Sequence, residues 1–201
     1  MPENEAFAHR RICVFCGSSL GVDPAYREAA AHLGRAIAER GNTVIYGGGR
    51  VGLMGVVADA ALSSHGTVIG VIPEFLSTKE IAHEGVTEMH TVPSMHVRKA
   101  YMAERADAFL ALPGGLGTYD EFCEIVTWAQ LGLHSKPIGL LNLKGFFDGL
   151  ILQIERAVAE GFCRPEHREL FLVDDNPDRL LAAIESFEAP KVAKWLKPGQ
   201  T

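Results

Sequence analysis

The chain has 201 residues, a net charge of −6, a hydrophobic fraction of 47% and four cysteines. This length suits one domain that can bury a core without disulfides or metals, and the acidic balance argues against a general nucleic-acid-binding surface. No apolar run reaches the roughly 18 residues of a membrane span, and no signal-peptide pattern opens the chain. We therefore expect a cytoplasmic globular protein with no nucleic-acid or membrane partner.

Apolar runs and helical stretches alternate along the chain. Several runs are continuous, as is typical of strands buried on both faces, and the alternation predicts an α/β fold with a Rossmann-like, doubly wound, mostly parallel sheet of about six to seven strands flanked by helices. We expect one domain over 11–188, a loose segment over 1–10 and a tail over 189–201. The predicted strands are 11–16, 43–46, 67–72, 107–112 and 137–142, with weaker ones at 88–92 and 170–173, and the predicted helices are 24–40, 52–64, 94–105, 118–132, 146–160 and 176–187.

The junction after the first strand is rich in small residues. Parallel sheets bind ligands beyond the carboxyl ends of their strands, so Ser18 and Ser19 are candidate ligand contacts, although a simple turn and helix cap explains them equally well. Cys13 and Cys16 form C-x-x-C inside this strand, where alternation places the two thiols on opposite faces. No second Cys or His pair follows at zinc spacing, so we expect structural thiols and no metal site.

A glycine-rich junction follows the second strand, in GGGRVGLMG at 47–55. Glycines between a strand and a helix can point backbone N–H groups at an anion. The stretch also matches G-x-G-x-x-G, with Glu74 placed roughly where a ribose-binding acid would sit in a dinucleotide fold. A close helix–strand contact that needs small residues is the structural alternative. The candidate phosphate contacts are Gly47, Gly48 and Gly49.

A second glycine-rich junction, PGGLGTYDE at 113–121, follows the strand DAFLAL and opens a helix. Thr118 and Glu121 have the T-x-x-E spacing of a capping box, which alone favours a structural role. The location beside a phosphate-binding loop favours a functional role for the same carboxylate. The candidate phosphate contacts are Gly114, Gly115, Gly117 and Thr118.

The stretch MHVRK at 95–99 places two cations early in a helix. Cations near a helix N-terminus oppose the helix dipole. Arg98 and Lys99 are therefore mildly unfavourable there unless an anion lies nearby.

Together these motifs resemble the LONELY GUY (LOG) family, whose members are often mislabelled lysine decarboxylases. The resemblance covers about residues 11 to 165, and the combination is far more specific than any single motif. It rests on P-G-G-x-G-T-x-x-E at 113–121, G-G-G-x-x-G-L-M-G at 47–55, M-H-x-R-K at 95–99, and the stretches CVFCGSS at 13–19, GVIP at 70–73 and TWAQLGLHSKPIGLLN at 127–142.

The resemblance implies a phosphoribohydrolase without a cofactor, which releases the free base and ribose 5-phosphate from a cytokinin riboside 5′-monophosphate, and from AMP in related members. It implies a homodimer with active sites near the subunit interface. It assigns catalysis to Arg98 and Glu121, and substrate contacts to Glu80, Arg98, Lys99, the stretch from Gly114 to Glu121, and Thr127.

Three other functions compete with this interpretation. An NAD-binding oxidoreductase would explain the G-x-G-x-x-G match, but no second substrate domain is evident. A non-catalytic nucleotide-binding or carrier protein would share the fold, since a fold does not fix function. A lysine decarboxylase would need a pyridoxal-phosphate lysine, and neither Lys99 nor Lys136 has a suitable context.

Overall fold

The protein forms one sheet of seven strands with helices on both faces. The computed structural model describes residues 9–77 and 81–190, and the strand order is β4-β3-β2-β1-β5-β6-β7. All six pairings between neighbouring strands are parallel, which confirms the predicted Rossmann-like sheet, including both weaker strands. The strands are β1 (Arg11–Phe15), β2 (Thr43–Tyr46), β3 (Thr67–Pro73), β4 (Glu88–Val92), β5 (Ala108–Ala111), β6 (Ile138–Leu141) and β7 (Leu172–Asp174).

Several helices begin at a residue whose side chain caps them. Asp23 accepts a hydrogen bond from the N–H of Ala25 ahead of the first long helix, and Ser94 accepts one from Val97 at the start of another. Such caps satisfy N–H groups that have no partner within the helix. The helices are α1 (Pro24–Glu39), α2 (Gly52–Ser63), α3 (Glu74–Ser77), α4 (Met95–Arg105), α5 (Leu116–Gln130), α6 (Asp148–Ala159) and α7 (Pro177–Glu185), with 3-10 helices at Leu143–Gly145 and Pro165–Leu170.

Side chains point alternately to the two faces of the sheet and pack into two hydrophobic cores, one on each face. The thiol of Cys13 belongs to one core and that of Cys16 to the other, as the spacing predicts. Both cysteines are buried and unpaired. Burial on both faces explains why the sequences of the central strands are continuously apolar.

The connection between β4 and β5 places a crevice above the centre of the sheet. From β1 the chain adds strands in one direction as far as β4, and then returns to the other side of β1 with β5. At this switch point the loops after β1 and β5 diverge and leave room for a ligand. The residues that follow β1, β2 and β5 are therefore the expected ligand contacts.

Parts of the predicted organisation lie outside the described residues. These are residues 1–8, 78–80, which include the predicted substrate contact Glu80, and 191–201. The limits of the loose segment, the domain and the tail therefore stay predictions. Within the described ranges, no helix is long and apolar enough to cross a membrane, and no three His, Cys, Asp or Glu side chains lie close enough to hold a metal ion.

Candidate active site

A cavity of about 270 Å³ opens at the switch point. It lies between the loops after β1 and β2 and the first turns of α4 and α5. Its volume is close to the roughly 300 Å³ at which small-molecule sites begin. The predicted site residues that line it are Ser18, Gly47, Gly49, Arg98, Gly115, Gly117, Thr118 and Glu121.

A buried ion pair lies in the wall of this cavity. The Nη1 atom of Arg98 donates to Oε1 of Glu121 at 3.0 Å, and its Nε donates to the carbonyl oxygen of Val71 at 3.0 Å. The side chains of Arg98 and Glu121 are only 9% and 10% exposed. A carboxylate of α5 is therefore the anion that offsets the unfavourable position of Arg98 early in α4.

The carboxyl group of Glu121 titrates above the usual range. Burial raises its pKa, and the charge and hydrogen bond of Arg98 lower it only in part. The negative charge of Asp120 raises the pKa further, and the positive charge of Lys99 lowers it. A buried carboxylate with one fixed partner and an elevated pKa is typical of catalytic groups.

The first turn of α5 presents backbone donors that no side chain caps. The helix begins at Leu116 with Gly115 as its N-cap, and no side-chain hydrogen bond caps it. The capping box allowed by the T-x-x-E spacing does not form, because Thr118 lies inside the first turn and Glu121 binds Arg98 instead. Uncapped N–H groups at a helix start are a ready anion site.

Two glycines of this turn leave space beside the cavity. A Cβ atom added at Gly115 or Gly117 would meet no atom within 4 Å. Glycine inside a helix is unfavourable by about 1 kcal/mol relative to alanine, and no neighbouring atom of the protein requires it at Gly117. The open space is therefore suited to a ligand that approaches the backbone closely.

The glycines after β2 have three different surroundings. A Cβ atom on Gly47 would lie 1.9 Å from Nη2 of Arg98, so this glycine makes room for the guanidinium group. Gly48 has a φ of +74°, and its carbonyl accepts from the N–H of His83 rather than facing the cavity. Gly49 lies under the side chain of Met54. Of the three, Gly47 and Gly49 line the cavity.

Four other predicted contacts are not among the residues that line the cavity. Gly114 packs against the loop after β1, where an added Cβ would lie 2.8 Å from the N atom of Gly17. Ser19 lines a neighbouring apolar pocket with Gly114. Thr127 is exposed on α5 and donates to the carbonyl of Cys123, and the amine of Lys99 pairs with carboxylates of α5. Their roles stay predictions.

Sequence reasoning did not identify one wall of the cavity. This wall is apolar, and its residues come from separate segments that the fold brings together. One of these residues, Met54, belongs to the G-L-M-G motif, but nothing in the sequence indicates that it contacts a ligand. The wall consists of Met54, Ile72, Leu76 and Ile81.

The structure gives little support to the competing functions. A dinucleotide fingerprint belongs in the loop after the strand at the switch point, whereas the match at Gly47 follows β2 and its space holds the Arg98 side chain. Glu74, which the dinucleotide interpretation would make the ribose-binding acid, begins the short helix α3. Lys136 donates to the carbonyls of Ala103 and Glu104, at the end of the sheet away from the cavity.

Solved structures share this fold at low sequence identity. The Moco carrier protein from Chlamydomonas reinhardtii matches with a TM-score of 0.67 at 20% identity, over 89% of this chain and 96% of that one. The molybdenum cofactor binding protein from Rippkaea orientalis matches with a TM-score of 0.66 at 21% identity, over 89% and 97%. At these identities the likeness supports the fold alone.

Sequence comparisons are more specific. A family model described as "Possible lysine decarboxylase" matches residues 54–184. The "Probable cytokinin riboside 5'-monophosphate phosphoribohydrolase LOGL9" of Oryza sativa subsp. japonica is 51% identical over 89% of this chain and 78% of its own length. The cytokinin riboside 5'-monophosphate phosphoribohydrolase LOG7 of Arabidopsis thaliana is 49% identical over 89% and 82%. The chain therefore belongs to the LONELY GUY family.

Proposed function

We propose that this protein hydrolyses the N-glycosidic bond of cytokinin riboside 5′-monophosphates, and also of AMP, to give the free base and ribose 5-phosphate. The names of relatives at about half sequence identity support this activity. The observation that carries it is the buried Arg98–Glu121 pair beside the uncapped, glycine-lined start of α5. No cofactor is needed for the reaction.

The start of α5 would hold the 5′-phosphate. Its uncapped N–H groups and the positive end of the helix dipole favour a dianion there, and the space at Gly115 and Gly117 lets the phosphate oxygens reach the backbone. Thr118 adds a hydroxyl donor in the cavity wall. Binding energy from the phosphate, which does not react, then positions the sugar.

The carboxylate of Glu121 would act on the sugar. Cleavage of the bond develops positive charge on C1′ and the ring oxygen, and a nearby carboxylate stabilises that charge and orients the attacking water. Glu121 lies one helical turn beyond the proposed phosphate donors, a spacing that suits a ribose between them. Arg98 donates a hydrogen bond to this carboxylate and would hold it in place.

The apolar wall would receive the base. With the phosphate at α5 and the sugar at Glu121, the remaining wall is formed by Met54, Ile72, Leu76 and Ile81. Apolar side chains with a few placed polar groups are the usual lining of a small-molecule site. This arrangement favours a flat, weakly polar base such as adenine or an N-substituted adenine.

A panel of nucleoside 5′-monophosphates tests the activity. Each is incubated with the protein, and the released base is measured by chromatography beside the matching nucleoside without phosphate. We expect release from monophosphates and poor reaction of nucleosides. Equal rates on a nucleoside and its monophosphate would contradict the phosphate site, and release from neither would contradict the activity.

The two remaining alternatives predict different results in simple assays. An NAD-binding oxidoreductase would enhance and shift the fluorescence of NADH on binding. A non-catalytic nucleotide carrier would bind AMP in a calorimeter without ever releasing adenine. Our proposal predicts adenine and ribose 5-phosphate in equal amounts.

We infer that the protein acts as a homodimer in the cytoplasm. The family resemblance supports the dimer, and apolar side chains exposed on and after α5, namely Leu116, Leu131 and Leu133, would suit a subunit interface. Near such an interface Thr127 could meet substrate bound to the partner. Sedimentation analysis tests the assembly, with twice the mass of 21.8 kDa expected and the monomer mass contradicting it.

A further inference from the structure

The loop after β2 pairs with the segment 81–85 through the backbone. An isolated antiparallel bridge joins the two. The N–H of Arg50 donates to the carbonyl oxygen of Ile81 at 2.8 Å. The N–H of His83 donates to the carbonyl oxygen of Gly48 at 2.9 Å, and Gly48 accepts this bond with a φ of +74°, a conformation that costs glycine little. The segment is therefore fixed to a loop of the cavity at two points.

The imidazole ring of His83 fastens the same segment to helix α2. Its Nδ1 accepts a hydrogen bond from the N–H of Gly85 at 3.0 Å. Because Nδ1 is an acceptor, the ring proton lies on Nε2, which donates to Oδ1 of Asp59 at 3.0 Å. The His83 side chain is only 11% exposed. Asp59 belongs to α2, which packs on β2 and β3, so the ring links the segment to a helix that the sheet holds in place.

The segment 81–85 supplies one residue of the apolar wall. Ile81 lines the cavity, and its Cγ2 atom lies 3.9 Å from the position that a Cβ atom on Gly49 would take. Of the four residues of this wall, Ile81 is the one that lies outside the helices and strands. Its position therefore depends on the contacts that hold the segment. His83 makes two of these contacts without itself lining the cavity.

We infer that His83 is a positioning residue that binds Asp59, holds the segment 81–85 against α2, and so keeps Ile81 in the wall that receives the base. The inference rests on the proposed function, which places the base at this wall. A displaced wall loses dispersion contacts with the base, whereas the phosphate and sugar contacts stay as they are. Loss of binding that is equal in the ground state and the transition state raises KM and leaves kcat unchanged.

Replacement of His83 by alanine removes the link to α2. We expect the KM for AMP to rise by about threefold to tenfold, the factor that corresponds to the loss of one hydrogen bond, with kcat changed much less. Ribose 5-phosphate, which has no base, is titrated as a competitive inhibitor in the same assay, and its inhibition constant should stay the same. Equal losses of affinity for AMP and ribose 5-phosphate would indicate a general loosening of the site and overturn the inference.

Two further variants test whether the hydrogen bond to Asp59 is responsible. His83→Gln keeps an N–H donor that can reach Asp59 and should restore most of the affinity for AMP. Asp59→Ala removes the acceptor and should raise the KM in the same way, and the double variant His83→Ala, Asp59→Ala should add little to either single change. A glutamine variant that behaves like alanine, or fully additive effects in the double variant, would overturn the role of this bond.

A second histidine–aspartate pair provides the matched control. His32 on α1 binds Asp178 on α7, and neither residue lines the cavity, so His32→Ala should leave the KM for AMP unchanged. Ile81→Ala shortens the wall directly and should raise the KM by about tenfold, again without affecting ribose 5-phosphate. Thermal unfolding checks that every variant is folded. If the unaltered protein releases no adenine, the proposed function fails and the inference with it; if it is active and His83→Ala has the same KM, the inference fails alone.

Discussion

Replacement of Gly47 by alanine tests the position of the Arg98 side chain. The added Cβ atom would lie 1.9 Å from Nη2 of Arg98 and 3.1 Å from its Cζ, whereas real Cβ atoms essentially never approach another atom within 3.0 Å. The guanidinium group must therefore move by roughly 1 Å, a displacement of the size at which catalytic alignment is lost.

That movement has a calculable consequence. The guanidinium group is rigid and is held at Nε by Val71 and at Nη1 by Glu121, so moving Nη2 strains at least one of these bonds. A hydrogen bond to a charged group contributes about 1.5–3 kcal/mol. Misplacing Arg98 and Glu121 by this distance should reduce kcat by on the order of 10²-fold.

The assay measures kcat for release of adenine from AMP, together with the thermal midpoint of unfolding. Gly149→Ala is the matched control, because a Cβ atom there meets nothing within 4 Å and the residue lies in α6, away from the cavity. The control should keep full activity. A Gly47→Ala protein that folds normally and turns over within about twofold of the unaltered protein, well short of the loss that misalignment causes, would refute the placement of Arg98.

Three further predictions follow from the site. Gly117→Ala should fold as well as the unaltered protein or slightly better, because alanine favours helix by about 1 kcal/mol, yet raise KM for AMP several-fold; an unchanged KM would mean that no phosphate occupies that space. The activity needs ionised Glu121, whose pKa is raised by burial, so kcat should fall as the pH drops through a midpoint above about 4.3, and a midpoint at or below this value would contradict the burial argument. Arg98→Ala should lower the free energy of unfolding by about 3–5 kcal/mol, since it leaves a buried carboxylate unpaired, and nearly abolish turnover; denaturant titration and the adenine assay measure both, and a variant with unchanged stability would show that the pair is not buried.

The order of strands and helices could be predicted from the sequence because a strand buried on both faces has a run of apolar residues. Apolar runs located five of the seven strands, and weaker signals located the two edge strands, Glu88–Val92 and Leu172–Asp174. The start of α5 was placed two residues late, at Thr118 instead of Leu116, because a T-x-x-E pattern resembles a cap whether or not the cap forms. Short elements such as α3 have too little periodicity to be detected.

The contacts of the site depend on packing between distant segments. The sequence indicated Arg98 and Glu121 separately and the resemblance paired them, but only the fold shows that Gly47 makes room for the guanidinium group. In the same way, the sequence indicated only that an anion should lie near Lys99, and the structure shows that Asp120 and Glu124 pair with it. No local pattern encodes a contact across more than twenty residues.

The most direct test of the account is the turnover of Glu121→Gln on AMP and on a cytokinin riboside 5′-monophosphate. Glutamine keeps the size and an acceptor oxygen for Arg98 but cannot carry the negative charge. We predict a folded protein whose kcat is lower by on the order of 10²-fold or more. Base release at the rate of the unaltered protein would contradict a role for the Glu121 carboxylate in breaking the glycosidic bond.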